Sequence, residues 1–103
     1  MDFRIISGSV YMFITSMAQY EAVLAALDNK LCRKIIKALM EEPKSFEQLA
    51  HELMLRSPEE HWDLKLALKR LKELKIIGCN PDGIYFLAVD NIVIDLWEVA
   101  KQW

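Results

Sequence analysis

Four cations crowd one short stretch of the chain: Lys65, Lys69, Arg70 and Lys72. On a helix turning about 100° per residue, the three lysines fall within about 60° of one another. A lysine stripe suits phosphate oxygens, because each ammonium is a flexible point charge that attracts without reading sequence. Arg70 lies further round and carries the planar fork that can pair with a guanine edge. The bland alternative is a solvated helix face, with Lys69 and Glu73 as an i,i+4 pair in the weaker orientation. Glu59, Glu60 and Asp63 set negative charge at the leading end of the same segment. Capping accounts for them, but they oppose an approach by nucleic acid.

Other chemistry finds little to work with. Cys32 and Cys79 are far apart, with no Cys-x-x-Cys and no adjacent histidine, so they read as free thiols in a reducing compartment. His51 and His61 are isolated, and neither is expected to hold a metal. With only three glycines there is no Gly-rich phosphate loop, and no Ser-His-Asp arrangement or convincing carboxylate pair is present. The chain is therefore expected not to be an enzyme and to need no cofactor.

The elements that position the lysines follow from period and punctuation. Residues 3–15 are β-branched and aromatic around Ser7-Gly8-Ser9, which fits a hairpin or the front of a longer helix. Ser16 with Gln19 matches a capping box, and Tyr20, Val23, Leu24 and Leu27 give the following helix an apolar face. Asp28-Asn29 breaks that helix and caps the next, through Leu31, Ile35, Ile36, Leu39 and Met40. Ser45 with Gln48 opens a third helix that buries Phe46, Leu49, Ala50 and Leu53. Ser57-Pro58-Glu59-Glu60 is the sharpest signal: a good N-cap, proline at the first helical position, and carboxylates at the positive end of the dipole. That helix is expected to run to about Lys75 on Leu64, Ala67, Leu68, Leu71 and Leu74. Two apolar runs then flank Asn80-Pro81-Asp82-Gly83 as a β-hairpin. Asp90-Asn91 is expected to cap a final helix through Leu96, Trp97, Val99, Ala100 and Trp103.

Helices, a two-stranded hairpin and a closing helix, in that order, make the plan of a winged helix-turn-helix: mainly α with a small β-hairpin. The sequence resembles the arsenical-repressor-type (ArsR-like) family over about residues 25–90. Ala26-Leu27-Asp28 through Ile35-Ile36 is spaced like the family's entry into its second helix. Ser45-Phe46-Glu47-Gln48-Leu49-Ala50 to Leu53 is similar to the first helix of its helix-turn-helix. Leu68-Lys69-Arg70-Leu71 and Lys75-Ile76-Ile77-Gly78 look like the end of a recognition helix entering the wing. The family turn usually carries glycine where Met54 stands, and the stretch from Ser57 to Leu68 is about one helical turn longer than the family spacing. The longer turn is expected to rotate Trp62 and Leu66 inward; left outward, they would dock a protein. The wing tip has no Lys or Arg, so the wing is expected to be structural. The family's Cys-x-Cys metal site has no counterpart near residues 45–52, and the last helix has Asp95 and Glu98 but no histidine, so no metal is expected.

A length of 103 residues gives one domain: an N-terminal extension or helix (1–27), a helix-turn-helix core (30–75), a wing (76–89) and a C-terminal helix (91–103). The chain is 53% hydrophobic with a formal net charge of −2. That charge excludes wholesale basic coating of nucleic acid but not a local basic face. Ile5 to Ala18 is too short and poorly flanked for a membrane span or signal peptide, so a cytoplasmic protein is expected. The apolar excess points to an interface. Tyr11, Phe13, Met17 and Tyr20 at one end, with Trp97 and Trp103 at the other, are the candidates for pairing two protomers; in the resembled family the first and last helices do this. The resemblance implies a homodimeric transcriptional regulator on double-stranded DNA, with Lys65, Lys69 and Lys72 on phosphates and Arg70 reaching bases. The alternative is a winged helix adaptor that binds protein through Trp62, Leu66 and the N-terminal aromatics.

Overall fold

A computed structural model describes residues 2–103. The helical core is α1 (Met17–Asp28), α2 (Lys30–Glu41), α3 (Phe46–Glu52) and α4 (Pro58–Glu73). Each begins where a side-chain oxygen accepts an otherwise orphaned N–H. Ser16 caps α1, Asn29 caps α2, and Ser45 with Gln48 and Ser57 with Glu60 form full capping boxes on α3 and α4. Pro58 occupies the first turn of α4, as expected from its fixed φ.

The two helices of the helix-turn-helix end in the same way. After α3, Leu55 N–H donates to Ala50 C=O and Met54 N–H to His51 C=O. After α4, Ile76 N–H donates to Leu71 C=O and Lys75 N–H to Lys72 C=O. These are Schellman closures, which need a left-handed residue just past the helix. Met54 (φ 59°) and Lys75 (φ 66°) take that conformation although neither is glycine. The departure from glycine at residue 54 thus leaves the turn's shape intact and places strain there instead.

The wing is a three-stranded sheet in the order β3-β5-β4, with β3 at Lys44–Ser45, β4 at Ile77–Cys79 and β5 at Ile84–Leu87. At its tip the Asn80 side-chain oxygen accepts from the N–H groups of Asp82 and Ile84, and Gly83 takes φ 80°. Gly78 faces Phe86 across the ladder, and a Cβ there would run into the phenyl ring.

A second three-stranded sheet is formed by the two ends of the chain. Residues 3–15 resolve as a hairpin, β1 (Asp2–Ile6) with β2 (Ser9–Ile14), turning through Ser7 and Gly8, both at positive φ. That pair is the left-handed two-residue loop that matches strand twist. The expected C-terminal helix over 91–103 is corrected: Asn91–Ile94 is a strand, β6, lying parallel to β2, and the helix α5 spans only Leu96–Ala100 with Asp95 as its cap. Asp90 does not cap a helix; its carboxylate accepts Val10 N–H at 2.7 Å and so clamps the start of β2. The β-branched run Ile92-Val93-Ile94 favours a pleated surface once β2 offers a partner.

One core joins the layers. Met12 and Ile14 from β2, Val23, Ile35, Leu39, Leu49, Leu64, Leu68, Leu71, Ile76, Ile77 and Val99 are all buried. The expected faces hold on α3 and α4. Leu24 on α1 and Met40 on α2 are instead exposed, because their helices pack over narrower stripes than the sequence offers.

Candidate nucleic-acid interface on the fourth helix

Burial of Leu64, Ala67, Leu68 and Leu71 fixes the orientation of α4. The opposite side of the helix then faces solvent. Lys65, Lys69, Arg70 and Lys72 are all exposed, and among the described residues none of the four lies within ion-pair distance of a carboxylate. The Lys69–Glu73 pair offered by the alternative reading of a solvated face is not formed. Lys65 borders a hollow of about 420 Å³ lined by Phe46, Pro58, His61 and Trp62, which places the lysine flank on the α3 side. Arg70 and Asp63 line a cleft of about 390 Å³ against the start of α2, with Asn29, Lys30 and Leu31. The three lysines and Arg70 therefore share the helix but occupy opposite flanks.

The carboxylates at the leading end are not equivalent. Glu60 accepts the N–H groups of Ser57 and Arg56, and these bonds hold its pKa below the usual carboxylate value. Its charge is spent on capping, as expected. Glu59 and Asp63 are exposed and make no ion pair among the described residues.

Trp62 and Leu66 overturn an expectation. The longer turn does not rotate them inward; they are 59% and 47% exposed. The reason lies in the helix period: with Leu64, Ala67, Leu68 and Leu71 inward, Trp62 and Leu66 fall within about 30° of the direction pointing away from the core.

His61 sits at the junction of α3 and α4. Its Nε2 meets the Leu55 carbonyl at 2.8 Å and its ring packs edge-on against Phe46. It is a bracket for the turn. Among the described residues no group of three or more His, Cys, Asp or Glu could hold a metal ion. Cys32 is buried, which pushes its thiol pKa up, while Arg70 opposes the shift; Cys79 is half-buried in the wing.

Sequence reasoning missed Lys44. It is 6% exposed, and its Nζ donates to the Ala38 carbonyl at 2.6 Å and lies 3.5 Å from Glu52 and 3.8 Å from Glu41. The ammonium thus closes the C-terminal end of α2 and ties it to α3. No sequence pattern marks it, because lysine is ordinarily a surface residue.

The candidates for an interface divide into three sets. Met17 and Tyr20 pack against the core, and Tyr11 and Phe13 stack at 6.5 Å on the outer face of the second sheet, with Arg4 over Phe13. Trp97 and Trp103 are 74% and 76% exposed, beside exposed Leu96. The tail is anchored all the same: Gln102 Oε1 accepts Met17 N–H at 2.8 Å, and the Trp103 indole N–H points at Met17 Sδ. No helix is long and apolar enough to cross a membrane.

No family model matches the chain. A curated protein, nesprin-2 of Mus musculus, is 35% identical over 69 residues, which cover 67% of this chain but only 1% of nesprin-2. Among solved structures, HlyU from Vibrio cholerae N16961 superposes with a TM-score of 0.58 at 20% identity, over 69% of this chain and 76% of HlyU. The chain shares the winged helix fold of HlyU.

Proposed function

We propose that the protein is a DNA-binding transcriptional regulator of ArsR-like type whose fourth helix lies against a duplex. The carrying observation is the unpaired cationic face of α4: Lys65, Lys69 and Lys72 on one flank and Arg70 on the other, all exposed. The winged helix fold shared with HlyU supports the reading. In that geometry the lysines hold phosphates and Arg70 reaches toward base edges. Two copies pairing through Trp97, Trp103 and the outer face of the second sheet, with Tyr11 and Phe13, would present two such helices to successive major grooves. Gel-shift titration against mixed duplex DNA at low salt tests it. Wild type binds, and a Lys65→Ala/Lys69→Ala/Lys72→Ala variant binds more weakly with a flatter salt dependence, by about 0.9 in the log–log slope for each phosphate no longer neutralised. Equal binding, or none by either protein, overturns the proposal.

The outward Trp62 and Leu66, with the acidic Glu59 and Asp63 and a wing tip that carries no Lys or Arg, favour a second reading: an adaptor that docks a protein through this face. Recovery from its host of a stoichiometric protein partner, absent with Trp62→Ala and unaffected by nuclease, would select it.

A further inference from the structure

The outermost stripe of α4 is apolar through its first nine residues, with Glu73 on the same stripe at the C-terminal end. Trp62 stands in the N-terminal half of the helix and Leu66 one turn further on, at its middle, and both point away from the core. This is the part of a recognition helix that meets base edges in the major groove. A polar side chain there would read donors and acceptors; Leu66 has no polar atom to do so, and Trp62 offers a single indole N–H on an otherwise apolar ring. The one apolar feature that base pairs offer in the major groove is the C5-methyl group of thymine. We infer that Trp62 and Leu66 form a thymine-methyl reader, so that the helix selects duplexes with thymines at the positions beneath them.

The flanks support a nucleic-acid occupant for this stripe over an apolar protein surface. Lys65 and Lys72 stand to one side of it, Lys69 beside it and Arg70 on the other side. An apolar strip edged by free cations is complementary to a groove floor edged by phosphates. Glu59 and Asp63 sit on the Arg70 side. Phosphate attraction is therefore strongest along the lysine flank, which tilts the helix toward one strand. The hollow beside Trp62, walled by Phe46, Pro58 and His61, gives the indole a supporting surface on the same flank.

The inference rests on the duplex-binding reading above, and one experiment separates the two. A duplex pool of randomised sequence is prepared twice, once with thymine and once with uracil throughout. Uracil pairs as thymine does and lacks only the methyl group. Wild type is expected to prefer the thymine pool by roughly fourfold for each methyl group covered, the worth of burying one carbon. Trp62→Ala/Leu66→Ala, which removes only exposed side chains, is expected to bind both pools equally while keeping the lysine-dependent salt slope. Equal binding of the two pools by wild type overturns the thymine reader and leaves the phosphate contacts standing. A preference that survives in the double variant overturns the assignment to these two residues. Binding of neither pool by wild type overturns both readings and leaves the face to a protein.

Discussion

Lys44 Nζ donates to the Ala38 carbonyl at 2.6 Å, so a lysine from the wing's first strand closes the C-terminal end of the second helix. A buried cation holding a helix-end carbonyl combines a charged hydrogen bond with a favourable dipole contact. Its two carboxylate neighbours, Glu41 and Glu52, are themselves well exposed and add little.

Lys44→Ala is therefore expected to lower stability by about 2–3 kcal/mol, through removal of the charged bond and of the stem's packing. Lys44→Met keeps the stem and should cost about half as much. Urea melts of the three proteins measure this; Lys44→Met as damaging as Lys44→Ala would show that packing is not part of the contribution.

Met54 and Lys75 hold left-handed backbone that glycine adopts without strain. Met54→Gly and Lys75→Gly should each raise stability by about 0.5–1 kcal/mol, the relief of strain less the extra freedom of glycine in the unfolded chain. Thermal midpoints check this, with His51→Gly, an exposed position inside α3, as the destabilising control within right-handed backbone. Because neither side chain is buried, a change in packing does not mask the effect.

Acid should loosen the start of the fourth helix. Hydrogen bonds from Ser57 and Arg56 depress the Glu60 pKa in the folded state, so its contribution is present above the ordinary carboxylate value and is lost as pH falls through the folded one. Glu60→Gln can accept the same bonds and does not titrate. The expected result is a flatter dependence of the urea midpoint on pH for the variant below neutrality, read by circular dichroism. Parallel curves for the two proteins would remove Glu60 from the account.

The two thiols should react in order. Cys32 is buried with a raised pKa, and Cys79 is partly open in the wing. Since the thiolate is the nucleophile, a small maleimide should label Cys79 first and reach Cys32 only in denaturant. Mass spectrometry of peptides over time distinguishes them.

Helix starts were the most legible part of the chain, because Ser16, Asn29, Ser45 and Ser57 each act on N–H groups only a few residues away. The wing tip was legible for the same reason, through Asn80 and Gly83. The C-terminal strand was not. Asp90-Asn91 has the chemistry of a cap, and only the distant Val10 diverts the Asp90 carboxylate. Lys44 was hidden because its partners come from two different helices. For the proposed interface, the lysine stripe on α4 could be placed from period alone. The direction of Trp62 follows from the same period once Leu64, Ala67, Leu68 and Leu71 face inward; the expected inward rotation by a longer turn ran against that period.

The parallel pairing of Tyr11 with Asn91 joins strands from opposite ends of the chain, around the whole helix-turn-helix and wing. The first hairpin is local and closes on the order of microseconds, but its union with the last strand must wait for a loop that spans most of the molecule. The helices and the wing can thus come together first, and the core is completed when Met12, Ile14 and Val99 pack into it with that sheet. Docking that sheet, sealed by Asp90 on Val10 and Gln102 on Met17, becomes the late step of folding. A protein built this way has its latest-forming contacts at its ends, so changes there mainly alter the unfolding rate without touching the helix proposed to meet DNA.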